Sequence, residues 1–247
     1  MKCSRRDFLR TTGLGLGAAR LSSWVLEEET AEAAAVDKNE LADIAMSAAK
    51  RLGASYADIR INLYRNDTIT TREEQVQNVA RSQSFGFGVR VLVKGTWGFA
   101  ASREVTPSQV RRTTELAGQI ARANSSHQRR PVQLAPIPKV VASWKSAFDK
   151  DPFDVSIDEK IQFLMKLNQT AMKVSGVSFI NSSLRFVQEQ KFYASTEGSR
   201  IEQSLIRSYP NFTVTAVNRE TGDFQTRRRP RGDVMPRERF SRLLERG

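Results

Sequence analysis

The sequence predicts an α+β fold in which amphipathic helices pack on a predominantly antiparallel sheet. Two observations predict it. A helix followed by long hairpin-like runs occurs twice along the chain, and the helices are too few to cross over between parallel strands. Lys94-Gly95 and Glu197-Gly198 supply tight turns that join neighbouring strands directly.

The first helix follows Asp37, an N-cap with Glu40 three residues on, and places Leu41, Ile44, Ala45, Ala48 and Leu52 on one face before Gly53 stops it. Ala57, Ile59, Ile61 and Leu63 then alternate with Asp58, Arg60, Asn62 and Tyr64, the pattern of a half-buried strand. Thr68 to Thr71 and Val76 to Arg81 continue in polar, β-permissive sequence. Residues 85–93 read as a central strand that turns at Lys94-Gly95 into residues 96–100. Thr106 with Pro107 opens a second helix carrying Val110, Leu116, Ala117, Ile120 and Ala121. Residues 125–155, broken by Pro131, Pro136, Pro138 and Pro152, read as an irregular surface crossing. Ser156 and Glu159 form a capping box for a third helix with Ile161, Leu164, Leu167, Ala171 and Val174 on its face, ended by Gly176. Three β-rich runs follow, at 177–187, 190–196 and 199–217.

The 247 residues carry a formal net charge of +12, which taken whole suggests a nucleic-acid or anionic membrane partner. Its distribution argues otherwise. Residues 1–20 and 227–247 hold 13 of the 39 basic side chains and 4 of the 27 acids, leaving 26 against 23 between them. The body is nearly neutral, so no nucleic-acid partner is expected for it. Residues 227–247 contain eight arginines and no lysine. Three readings of that segment stand: an out-of-frame end, a basic phosphate-binding arm, or a solvated tail.

The amino terminus, residues 1–35, reads as a targeting segment. Arg5 and Arg6 precede the apolar pair Phe8 and Leu9 and then Arg10, a twin-arginine export pattern. A weak apolar stretch runs from Thr11 to Ala19, and Ala31 to Ala35 offer small-x-small cleavage sites. Export by this route predicts a periplasmic or exported protein that meets the membrane only in transit. The alternative is a retained charged amphipathic helix on a cytoplasmic protein, favoured by Arg20 and Glu27 to Glu29 interrupting the apolar run.

One cysteine, Cys3, and one histidine, His127, exclude an intrachain disulfide and any His/Cys zinc cluster. His127 lies in a polar stretch and reads as a solvated loop residue. Gly86, Gly88, Gly95 and Gly98 match neither phosphate-loop spacing and instead indicate strand twist or close backbone approach. Phe85, Phe87, Trp97 and Phe99 read as core packing. No catalytic or metal-binding residue is nominated.

The ordered motifs Gly53 to Arg60, Thr71 to Glu73, Ser84 to Val91, Gly95 to Ala100, Ala194 to Ser199 and Thr221 to Thr226 resemble the amino-terminal domain of the TldD/PmbA family. The resemblance covers residues 36–226. It implies a zinc metallopeptidase, historically a modulator of DNA gyrase, working as a homo- or heterodimer around a cavity for small or unfolded peptides. The family's zinc site, an H-E-x-x-x-H helix with a downstream cysteine, has no counterpart here. The resemblance therefore implies zinc for the full-length family and none for this chain. The expectation is a metallopeptidase amino-terminal portion truncated before its zinc site and inactive alone. The alternative is a non-catalytic scaffold or partner subunit.

Overall fold

The computed structural model describes residues 36–228. Among the described residues, three helices, α1 (Lys38–Arg51), α2 (Pro107–Ser125) and α3 (Ile157–Met172), accompany seven strands. The strands are β1 (Tyr56–Arg72), β2 (Gln75–Val93), β3 (Thr96–Ser102), β4 (Val141–Lys145), β5 (Val177–Ser195), β6 (Arg200–Val217) and β7 (Phe224–Arg228). Hydrogen bonding orders them β3-β2-β1-β5-β6-β4, with β7 also on β6. The predicted α+β class holds, and the sheet is antiparallel except where β4 runs parallel to β6.

Contacts divide the chain into two compact units, and β1 and β2 each contribute to both. In the first unit (described residues 36–61, 83–136 and 195–197), α1 and α2 bury small residues. Asp37 caps α1 by accepting from the Asn39 and Glu40 amides, and Leu41, Ala42, Ala45, Ala48 and Ala49 are buried. Lys94 and Gly95 both adopt left-handed conformations, φ 51° and 73°, as a two-residue hairpin turn requires. The predicted α2 face is corrected. Leu116 is exposed, whereas Val110, Thr113, Thr114, Ala117, Gly118 and Ala121 are buried. The reason lies in β3: a Cβ on Gly98 would stand 1.9 Å from the Ala117 carbonyl oxygen, so the helix rests on strand backbone and admits only small residues.

The aromatic expectation splits in the same way. Phe85 and Phe87 are buried, but Trp97 is half-buried and Phe99 is 59% exposed. Strand alternation explains the difference: Thr96, Gly98 and Ala100 are the buried residues of β3, and the two aromatics occupy its other face.

The second unit (described residues 62–82, 137–194 and 198–228) packs α3 on Ile69, Leu184 and Phe186, with Phe153 closing the cluster. Three expectations are corrected here. Residues 141–145, assigned to an irregular crossing, form β4. The runs at 177–187 and 190–196 are one strand, because Gln188 and Glu189 stay in register with Ile206 and Leu205. The buried stripe of α3 is Lys160, Leu164 and Asn168, flanked by Ile161 and Leu167, and Val174 is exposed beyond the helix end.

Candidate functional site

The export residues Arg5, Arg6, Phe8 and Leu9, and Cys3, lie outside the described residues. His127 is exposed in the turn after α2, the solvated setting its sequence indicates. Among the described residues, no three His, Cys, Asp or Glu side chains come together as a metal site. A zinc peptidase centre takes about three protein ligands and an open water position. The donor set of these residues does not fit it.

What the fold does gather is buried charge and amide groups, most of it on strand and helix faces of the second unit. Asp67 on β1 is almost wholly buried and accepts from the Lys160 ammonium at 2.8 Å and from Arg81 Nε and Nη2 at 3.0 and 3.2 Å. Lys160, itself 3% exposed, also lies 4.9 Å from the Phe186 ring centroid, a desolvated cation–π contact. Burial pushes the Asp67 carboxyl up. The hydrogen bonds and charges of Arg81 and Lys160 outweigh it and hold the group below its ordinary range.

Two turns further along α3, the Asn168 amide donates to Thr71 Oγ1 at 3.0 Å and to the Glu73 carbonyl at 2.7 Å. Its oxygen accepts from Ser182 Oγ at 2.7 Å. Both amide protons and the oxygen of this fully buried group are thus hydrogen-bonded. On β5, Glu189 accepts from the Tyr64 hydroxyl at 2.6 Å and Arg207 at 2.7 Å, and pairs with Lys191 at 3.1 Å. Burial raises the Glu189 carboxyl, and its three donors bring it below the usual value. Burial, the hydrogen bond to Glu189 and the charge of Glu189 push the Tyr64 phenol up to about 12.

The first unit has one comparable group. Asp58, fully buried, binds Arg90 at 2.6 Å and 2.9 Å and approaches Arg60 at 3.6 Å, while Arg90 stacks 5.1 Å from the Trp97 ring. An open groove of about 450 Å³ runs beside α1, lined by Asp37, Glu40, Asp43, Arg51 and Arg111 among others.

Chemically, these clusters hold structure. The Asp67 and Glu189 carboxylates, each tied to two cations, are poor bases near neutral pH, and a phenol titrating near 12 keeps its proton. Sequence reasoning missed Lys160 and Asn168. Their signal was the spacing: four residues before and four after Leu164, both lie on the stripe that faces the sheet.

With this architecture in hand, comparison with known proteins is specific. Residues 57–121 match the pattern described as PmbA/TldA metallopeptidase domain 1, and residues 150–241 match the PmbA/TldA metallopeptidase central domain. The chain belongs to the PmbA/TldD family. Metalloprotease MJ0996 of Methanocaldococcus jannaschii is 28% identical over 172 residues, 69% of this chain and 37% of the relative. A metalloprotease of Methanothermobacter thermautotrophicus is 30% identical over 172 residues, 70% and 36% of the two chains. The fold resembles TldE from Thermococcus kodakarensis (TM-score 0.56, 14% identity, covering 81% of this chain and 45% of that one). It also resembles a proposed modulator of a DNA gyrase from Thermotoga maritima (TM-score 0.59, 15% identity, 84% and 47%). The chain thus spans less than half the length of these relatives and structures. The central-domain match also runs on through residues 227–241, into the arginine-rich segment.

Proposed function

We propose that this chain supplies the first and central domains of a PmbA/TldD-type metallopeptidase acting on small or unfolded peptides, and that its 247 residues neither hold the zinc nor cleave peptides by themselves. The observation that carries this reading is the donor inventory: a single histidine, His127, exposed in a turn, and a single cysteine, Cys3, with no H-E-x-x-x-H segment. The zinc-bearing portion would come from further polypeptide. The test is elemental analysis together with a peptidase assay on unfolded peptide, with and without added zinc. Stoichiometric zinc, or chelator-sensitive cleavage by material whose mass matches this chain alone, would refute the reading.

The same inventory suits a second reading, a non-catalytic subunit paired with a catalytic member of the family. Retention of a separate H-E-x-x-x-H chain on co-purification would favour it. For location, we propose twin-arginine export directed by Arg5 and Arg6, with Phe8 and Leu9 completing the signal. Replacing both arginines by lysine should leave the protein in the cytoplasm, and unchanged fractionation would count against export.

A further inference from the structure

The second unit presents two unlike sheet faces. α3 covers one of them, meeting Asp67, Ile69 and Thr71 of β1 and Ser182, Leu184 and Phe186 of β5. Successive strand residues alternate between faces, so the even residues of β1 and the odd residues of β5 form the other. β6 joins it with odd residues, since Ser183 stands opposite Asn211 and Arg185 opposite Tyr209. The Glu73 amide on the Ile180 carbonyl and the Thr71–Ser182 contact set β1 against β5, which puts Arg72 beside Asn181, Thr70 beside Ser183 and Thr68 beside Arg185. Among the described residues of this unit, no helix covers this second face.

The open face is one-sided in charge. On β1, β5 and β6 of this unit it carries Arg72, Arg185, Lys191 and Arg207 but only one acid, Glu189. That acid is already occupied by Tyr64, Lys191 and Arg207. Arg72 lies 5.2 Å from the Phe179 ring centroid and 3.6 Å from the Glu73 carboxylate, and remains exposed. Arg185 is exposed as well, and among the described residues its guanidinium pairs with no carboxylate. Hydrogen bonding is one-sided too. On the α3 face Thr71, Ser182 and Asn168 satisfy one another. In the open rows Thr70–Ser183–Asn211 and Thr68–Arg185–Tyr209, no side chain hydrogen-bonds to another described residue.

We propose that this open face binds an extended acidic peptide, with one carboxylate on Arg185, a second on Arg72 and the stretch between them hydrogen-bonded to Thr70, Ser183 and Asn211. Arg185 offers five N–H donors in a planar fork and no acceptor, the match of a carboxylate. Arg72 and Arg185 stand two rows apart. Rows recur every two residues of strand, about 6.6–6.8 Å, the same repeat as alternate side chains of an extended peptide. The polar row between the two arginines holds hydroxyl and amide groups that both donate and accept, as peptide groups require. A nucleic-acid strand asks instead for exposed rings on which bases stack. Arg72 covers Phe179 and Glu189 holds the Tyr64 hydroxyl, which leaves Tyr209 as the one exposed ring of these rows. The inference rests on the peptide reading proposed above and narrows it to acidic sequences.

Fluorescence anisotropy with the full chain tests it and needs neither zinc nor cleavage. A labelled peptide of about twelve residues alternating Glu and Ser should bind at least about tenfold more tightly than its Gln/Ser counterpart. Arg185→Glu should weaken that binding about tenfold or more, and Asn211→Asp, which sets a carboxylate in the polar row, about threefold or more. Arg129→Glu makes the same charge change at an exposed site of the first unit and should alter binding less than about twofold. Asn211→Asp carries the test should Arg185→Glu lower the urea midpoint. Equal affinity for the two peptides would overturn the proposal, as would equal losses from Arg129→Glu and from the variants on the face. Single-stranded DNA that binds more tightly than the acidic peptide, and loses its affinity with the same variants, would overturn it by assigning the face to nucleic acid. The peptidase reading is decided by zinc and cleavage and this one by binding, so the two failures are distinguishable.

Discussion

Two helices of this protein sit on sheet by opposite means. α2 rests on β3 through absence of bulk: Gly98 lets the strand backbone come up against Ala117 and Ala121, and Thr114 turns its hydroxyl back to the Val110 carbonyl instead of into the interface. α3 stands on its strands through buried side chains that end in polar groups, with Lys160 on Asp67 and Asn168 on Thr71 and Ser182, on either side of the buried Leu164, and with Ile161 and Leu167 packed against the same core. Shape fixes most of the first contact, with one long hydrogen bond from the Asn124 amide to the Trp97 carbonyl, 3.5 Å, near the helix end. It tolerates sliding but no added atom. Pairing fixes the second, because each polar group buried without its partner costs its full desolvation.

The largest effect that can break this contrast comes from removing one ion of the buried pair. Asp67→Ala leaves the Lys160 ammonium inside an aromatic pocket, with Arg81 unable to compensate a like charge. Loss of about 3–5 kcal/mol is expected, read from the midpoint of urea unfolding. Replacing the pair together, Asp67→Leu with Lys160→Met, should recover most of that, since Arg81 is 41% exposed at its side chain and can turn to water. A double variant as damaged as the single one would show that the ion pair itself, rather than its balance, holds α3.

Shape is tested at Gly98. A methyl group there meets backbone at 1.9 and 2.6 Å, which no rotamer can relieve, so Gly98→Ala should cost about 1–3 kcal/mol. Leu116→Ala on the exposed side of the same helix should cost under about 0.5 kcal/mol. If the two costs coincide, α2 is not seated on β3 backbone as described.

How much of this was legible depends on which force was at work. The helix starts could be read because capping is local: Asp37, Thr106 and Ser156 each accept from an amide two or three residues on. Turns at Lys94-Gly95 and Gly198 could be read for the same reason. Leu116 and Phe99 were misplaced because hydrophobicity says nothing of how close two backbones come. Gly98, which sets that distance, was recognised only as a site of close approach. Lys160, Asn168 and Glu189 were not legible as interior residues, since each depends on a partner far along the chain, Asp67, Thr71 and Tyr64, which lie 93, 97 and 125 positions away. The donor inventory for a metal, by contrast, is a property of composition and needed no fold.

Acid should act on the paired side of the contrast. Asp67 and Glu189 both titrate below their ordinary values in the fold, 3.8 and 4.5, so in that range the unfolded chain binds more protons than the folded one. Their contribution is complete above those values and disappears as pH falls through the folded ones. Urea midpoints should therefore drop steeply below about pH 4, and Asp67→Asn should flatten that drop. Tyr64 works at the other end: its folded value near 12 lies above the ordinary 10.0, so its contribution is present below pH 10 and lost as pH rises toward 12. Ultraviolet titration should find one phenol ionising about two units later than free tyrosine, and Glu189→Gln should bring it down. No late phenol would mean that Tyr64 and Glu189 do not meet.

The smallest effect asks whether the two helices differ anywhere but at their seats. Both begin on a hydroxyl cap: Thr106 Oγ1 accepts from the Gln109 amide at 3.3 Å and Ser156 Oγ from the Glu159 amide at 3.1 Å. α3 carries Asp158 and Glu159 in its first turn and α2 carries no acid there. Glu159, however, turns outward to Lys150 at 3.3 Å, an exposed pair worth little. Each helix therefore leans on its cap for one otherwise unpaired amide, and the seat below cannot replace that bond. Thr106→Ala and Ser156→Ala should each cost about 1 kcal/mol, equal within about 0.5. A Ser156→Ala loss well beyond that, with Thr106→Ala near zero, would mean that the start of α3 is coupled to Lys160 four residues on, and that the paired seat reaches into the cap.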